Sequence, residues 1–313
     1  MAEYASFLEP DETAYELFAR VVVDPMRTGV PFLDQAVFLR PGHVVELVGP
    51  SGCGKSEILI QAAASCILPK EVNGVLYGGR EENSLLLDLD SKFDSLRLIQ
   101  VLDAKIQAAQ LAQQRHTPQD SHVLEDCLHR FHLMQCHSSF QLLAALKVMK
   151  PVLTSLQSKG GVSLLLIDNV AAFYWLDKAI RPTPPAPGQT RHNMSETTLT
   201  LHSVHAAIAA ELQPIMQHHR LAVLVTKHAV LSASNQGAGG ALLWAHREFL
   251  PQTWHDMVTH RIMLRCMSGL PYRAQMPKEP QQPYHFQAKL LDEGPSNVSN
   301  FMITNCSIEM CQY

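Results

Sequence analysis

Gly49-Pro50-Ser51-Gly52-Cys53-Gly54-Lys55-Ser56 meets the phosphate-loop pattern G-x-x-x-x-G-K-[ST], in the structural setting that the pattern requires. Before it runs Val44-Val45-Glu46-Leu47-Val48, a short β-branched stretch suited to a buried strand; after it, Glu57-Ile58-Leu59-Ile60-Gln61-Ala62-Ala63-Ala64 is rich in good helix formers. Strand, loop and helix in that order predict a nucleotide site. The glycines let backbone N–H groups curl around phosphate oxygens, and the helix N-terminus adds a favourable partial charge. Lys55 is placed to reach the β and γ phosphates, and the Ser56 hydroxyl to ligate Mg2+, so ATP with Mg2+ is the expected cofactor. The bland alternative is a chance glycine turn.

Working outward, strand-like runs at 44–48, 84–89, about 130–136, 162–167 and 221–226 alternate with helical stretches. That alternation predicts an α/β fold with a mainly parallel central sheet and helices on both faces. Beyond about residue 257, the runs Arg261–Leu264, His285–Leu291 and Phe301–Thr304 predict antiparallel strands extending the sheet at its C-terminal edge. Residues 1–26 form a short helical lead with scattered apolar anchors, and 27–313 one core domain. Two stretches break the pattern: proline-rich 181–188, and 232–241, which is made of small residues; both are expected to be mobile surface loops.

Composition narrows the function. The chain has 313 residues, 46% hydrophobic and 17% charged, enough to bury a substantial core. A net charge of −4 argues against nucleic-acid binding through bulk positive charge, so any DNA contact is local or shared with a partner. Seven scattered cysteines, one of them inside the loop at Cys53, fit a reducing compartment better than a disulfide framework. No apolar run approaches the roughly 18 residues of a membrane span, and the N-terminus lacks a secretion pattern. No simple basic nuclear import run is present either, so a nuclear protein of this kind enters with a partner.

Other residues carry candidate chemistry at strand ends. Asp168 closes the run 162–167 and so arrives at the sheet's C-terminal edge, where open α/β sheets bind ligands; with Ser56 it is the candidate Mg2+ holder, against the alternative of a turn cap. Asp88 and Asp90 end the run from Ser84, and either could orient a water on the γ phosphate or simply form a turn. Thr226, Lys227 and His228 end the fifth strand, where a polar side chain could sense nucleotide state. Cys127, His129, His132, Cys136 and His137 crowd one segment, but their spacing along an apolar stretch is poor for zinc. Tyr174 and Trp175 read as packing or interface aromatics rather than a base-stacking pair.

These motifs resemble those of the RecA-like recombinases, and within them the eukaryotic Rad recombinase paralogues. Thr28–Asp34 is similar to TGIPELD, Val48–Ser56 to VGPSGSGKT, and Leu86–Phe93 to the strand end YIDTEGTF; Leu164–Asp177, Cys66–Lys70, Phe93–Leu98 and Ser307–Cys311 resemble one branch of the paralogues. The resemblance implies a RecA-like P-loop ATPase core. It implies a nuclear subunit that supports recombinase filaments on single-stranded or branched DNA at double-strand breaks and stalled forks. Its usual neighbour would be the D-type paralogue, and through it the B and C types. Three departures are visible. Asp90 stands where active recombinases carry a catalytic glutamate, Lys227-His228 where they carry Asn-Gln, and the segment 232–250, aligned with the second DNA loop, offers Arg247 as its one fixed positive charge. A side chain one methylene short holds water poorly, which implies weak or no turnover. The competing readings are a DNA-dependent ATPase with strand-exchange activity of its own, and a small-molecule kinase on the same loop.

Overall fold

The strand that enters the phosphate loop, β1 (Val44–Gly49), is buried at every position and lies inside a nine-stranded sheet. The computed structural model describes residues 13–15, 25–113, 121–158, 160–179, 201–229, 248–267, 284–291, 298–304 and 306–311. The stretches 181–188 and 232–241, Arg247, and most of the lead over 1–26 lie outside these residues.

In chain order α1 (Pro31–Ala36) precedes β1, and α2 (Lys55–Ile67) follows it. A small hairpin, β2 (Glu71–Val72) and β3 (Val75–Leu76), leads to β4 (Asn83–Asp88), α3 (Ser95–Ala112), α4 (Ser121–His129) and β5 (Phe131–Gln135). Next come α5 (Ser139–Gln157), β6 (Val162–Asp168), α6 (Tyr174–Ala179), α7 (Leu201–His219) and β7 (Ala222–His228). The chain ends with α8 (Gln252–Met257), β8 (His260–Cys266), β9 (Tyr284–Leu290), β10 (Val298–Ile303) and β11 (Ile308–Met310). The sheet order is β11-β10-β9-β8-β1-β7-β6-β4-β5.

The expected α/β class holds: β5, β4, β6, β7 and β1 pair in parallel, and β9, β10 and β11 extend one edge antiparallel. One expectation is corrected. The first of the three C-terminal runs is not an antiparallel addition, because β8 pairs in parallel with β1, Val45 opposite His260, and antiparallel with β9. The connection from β7 to β8 includes α8, and a crossover of that length returns the chain in the same direction, whereas the later strands turn back on themselves.

Continuous apolar runs form these strands because both sheet faces are covered. Leu164 and Leu166 of β6 and Leu224 of β7 point into a core with α2, including Ile58, Leu59 and Ile67. Their neighbours Leu165, Ile167, Val223 and Val225 point into the opposite core, with Leu142, Leu146 and Met149 of α5 and Leu212 and Ile215 of α7. The cysteine–histidine segment is divided by the sheet in the same way, Cys127 in the first core and Cys136 in the second. Burial pushes the Cys127 thiol up to about 11, and the described residues hold no metal-binding cluster. Tyr174 is buried and packs on Phe249, while Trp175 is exposed.

Candidate nucleotide site

The loop from Pro50 to Gly54 leaves β1 and enters α2, and backbone geometry explains its glycines. Gly54 is the residue preceding α2 and has a left-handed φ of 84°; a Cβ there would come within 2.8 Å of Ile303 Cδ1. At Gly49 a Cβ would approach Cys53 Sγ to 2.5 Å and the Leu264 carbonyl to 2.7 Å. Lys55 folds back over the loop, Nζ donating to the carbonyls of Gly49 at 2.9 Å and Pro50 at 2.7 Å. The first turn of α2 is anchored by Arg97 of α3, whose Nη2 and Nε donate to Glu57 at 2.8 and 3.1 Å and whose Nη2 also reaches the Thr304 carbonyl at 3.1 Å. That bidentate pair keeps the N-terminus of α2, with its unpaired N–H groups, aligned on the loop.

Asp168 stands beside the loop as expected, at the end of β6 and opposite Asp88 of β4. Ser56 donates to Asp168 Oδ2 at 2.7 Å, and Thr226 donates to Oδ1 through a short hydrogen bond. Burial pushes the Asp168 acid above the usual carboxylate range; the hydrogen bonds from Thr226 and Ser56 pull it back, and the Asp90 charge pushes it further up. A hydroxyl and a buried carboxylate destabilised by its surroundings form a donor set suited to a hard, oxygen-seeking cation, which fits Mg2+. Thr226 faces this carboxylate, so its hydroxyl orients Asp168.

At neutral pH the ionised Asp168 costs stability, since its acid is raised in the folded state. Asp168→Asn is therefore expected to leave the nucleotide-free chain at least as stable as wild type. The same change should remove about 10- to 100-fold of Mg-nucleotide affinity. Thermal melts with and without Mg-ATP check both parts.

The two other carboxylates separate. Asp88 is buried and accepts from the backbone N–H groups of Lys92 and Phe93, each at 3.4 Å, so the turn-forming alternative describes its contacts. Asp90 places Oδ2 2.8 Å from Lys92 Nζ, while Oδ1 is buried without a hydrogen-bond partner. His228 is exposed at the end of β7, opposite Gly49 in the parallel register with β1. Partial burial, then the charges of Lys55 and Lys92, lower its proton affinity, favouring a neutral imidazole.

Lys227 goes the other way. Its neighbours Thr226 and His228 face the nucleotide side, whereas Lys227 is wholly buried on the opposite face, with Nζ 2.8 Å from Glu46 Oε2 and 2.7 Å from Glu248 Oε2. Glu46 also accepts from Arg261 Nε at 2.6 Å and Trp254 Nε1 at 2.8 Å, and His255 lies 3.3 Å from Glu248. Lys227 is thus turned away from the phosphate loop and held by Glu46 and Glu248. The signal for this network was Glu46, a lone acid in an apolar strand; its partners come from β7, β8, α8 and residue 248, too far along the chain for spacing to reveal.

No family model matches the chain. It is 33% identical over 301 aligned positions to the DNA repair protein XRCC2 homolog of Arabidopsis thaliana, covering 84% of this chain and 79% of the relative. It is 28% identical over 230 positions to the DNA repair protein XRCC2 of Mus musculus, 71% of this chain and 72% of that one. A more distant relative, the DNA repair and recombination protein RadA of Methanoculleus marisnigri, is 25% identical over 199 positions, 63% of this chain and 57% of the relative. The mainly parallel sheet with its antiparallel edge, taken with the RadA relationship, is that of a RecA-like core. The extent of the match to the plant protein over both chains shows that this chain belongs to the XRCC2 family of DNA repair proteins.

Proposed function

We propose that the chain is a nucleotide-binding recombinase-paralogue subunit that assists homologous recombination at double-strand breaks and stalled forks, with weak or no ATP turnover. The observation that carries this reading is the contrast within one site. The parts that hold nucleotide and Mg2+ are assembled, with Lys55 over the loop and Ser56 on Asp168, while one oxygen of Asp90, the candidate water-orienting carboxylate, is committed to Lys92. Phosphoryl transfer to water needs a positioned nucleophile as well as a held phosphate, and a shorter, ion-paired acid supplies positioning poorly.

Gly49, Pro50, Ser51, Gly52, Cys53, Gly54, Lys55 and Ser56 form the nucleotide-binding residues in this proposal, and Ser56 with Asp168 the Mg2+ pair. Bound Mg2+ would supply charge neutralisation for the phosphates; the chain's own contribution is to orient Asp168 through Thr226 and Ser56 and to set Lys55 against the loop. The D-type paralogue is the direct partner, the B and C types join through it, and DNA is met within that assembly in the nucleus. Residues 27–313 act as one RecA-like domain.

The test is ATP hydrolysis by the purified chain, alone and co-expressed with the D-type paralogue, with and without single-stranded DNA. Nucleotide binding without DNA-stimulated phosphate release is expected. DNA-stimulated turnover by the chain alone, lost in Lys55→Ala, would establish an ATPase in its own right instead.

A further inference from the structure

We propose that Lys92 is a γ-phosphate ligand that gives the site its preference for a nucleoside triphosphate over a diphosphate, an inference that rests on the nucleotide-binding reading above. Lys92 follows β4 in the turn that Asp88 holds by accepting from the N–H groups of Lys92 and Phe93. Its backbone is fixed at the carboxyl end of the sheet, while its side chain is 75% exposed. Nζ rests on Asp90 Oδ2 at 2.8 Å.

The surroundings of this cation point inward to the candidate site. The carboxylates of Asp90, Asp168 and Asp88 all stabilise the Lys92 charge, and Lys92 together with Lys55 disfavours a proton on His228. Asp168 is the partner of Ser56, and His228 lies opposite Gly49, the first residue of the loop motif. Lys92 therefore belongs to the same electrostatic cluster as the loop lysine, but it enters from β4 rather than from the loop. The Lys92 ammonium has three donors, and its contact with Asp90 uses one of them. A terminal phosphate bears more negative charge and more acceptor oxygens than one carboxylate, so Nζ can donate to it while keeping Asp90.

The loop amides serve the inner phosphates, which a diphosphate shares with a triphosphate, and Lys55 spans the β and γ phosphates. A second cation beyond them discriminates only on the third phosphate. The motif YIDTEGTF has threonine at the place of Lys92, so this cation is a feature of the present chain and not of the motif.

Isothermal titration calorimetry of the full chain with Mg-ADP and with a non-hydrolysable Mg-ATP analogue tests the inference, with Lys92→Ala, Lys92→Thr and Lys92→Arg. The Ala and Thr variants are expected to bind the triphosphate about five- to tenfold more weakly and to change diphosphate binding less than about twofold, with Arg restoring most of the loss. Two chemically different truncations keep the result readable if one of them folds poorly. Equal losses for both nucleotides, or no loss for either, overturn the role of Lys92 while leaving nucleotide binding intact. A wild-type chain that binds neither nucleotide overturns the nucleotide-binding reading, and this inference with it.

Discussion

Lys227→Ala is expected to destabilise the fold by about 3 kcal/mol, at the lower end of the range for breaking a buried ion pair. The lysine is fully buried between Glu46 and Glu248, and its removal leaves Glu46, also fully buried, short of one counter-charge. Two features hold the loss down. Glu46 keeps Arg261 and the Trp254 indole, and Glu248, 28% exposed, can turn toward water. Glu46→Gln combined with Lys227→Met should recover much of the loss, because a neutral pair of similar volume removes the desolvation penalty of both ions. Urea unfolding of Glu46→Gln, Lys227→Met and the double variant forms a cycle that isolates their coupling. A Lys227→Ala midpoint indistinguishable from wild type would mean that the network contributes nothing to the folded state. A clear loss in the presence of normal nucleotide affinity would separate this network from the site on the other face of the sheet.

Lys55→Ala should abolish stabilisation by nucleotide. With Mg-ATP at about 100 times its dissociation constant, a chain that binds it only when folded gains about 2.7 kcal/mol, and the variant should gain none. The nucleotide-free variant should melt as wild type does, since among the described residues Lys55 Nζ bonds to atoms of its own loop: the Gly49 and Pro50 carbonyls and, at 3.6 Å, the Cys53 sulfur. In recombination-deficient cells the same variant is expected to retain part of its complementing ability, because the proposed role rests on assembly with other paralogues more than on turnover. Complete failure to complement, with partner binding intact, would contradict that expectation and make the bound nucleotide essential.

The two variants report on opposite sides of the sheet. Thr226 and Lys227 are consecutive residues, yet one orients Asp168 beside the phosphate loop and the other is buried among acids behind the sheet. Alternation along a strand makes this unavoidable: a single β7 serves both the site and the stability of the fold.

The sequence by itself determined the local and repetitive features. Val44–Ser56 specifies strand, loop and helix because the glycine conformations and the loop lysine are properties of contiguous residues. The runs at Ser84, Val162 and Leu221 were legible as parallel strands because a strand covered on both faces must be apolar at nearly every position. Asp168 beside Ser56 followed from the same logic, one carboxylate at the end of one such run. The sense of β8 was not legible, since a strand's own residues do not encode the direction of its neighbour. The two-residue strands β2 and β3 and the three-residue β11 are too short for periodicity to show. Only the tertiary structure divided Asp88 from Asp90, brought Lys92 onto Asp90 and turned Lys227 toward Glu46 and Glu248. The contacts of Asp88 and Asp90 are local but depend on the conformation of the turn after β4, whereas the pairing of Lys227 with residues distant in sequence is settled by packing and by the cost of leaving a buried charge alone.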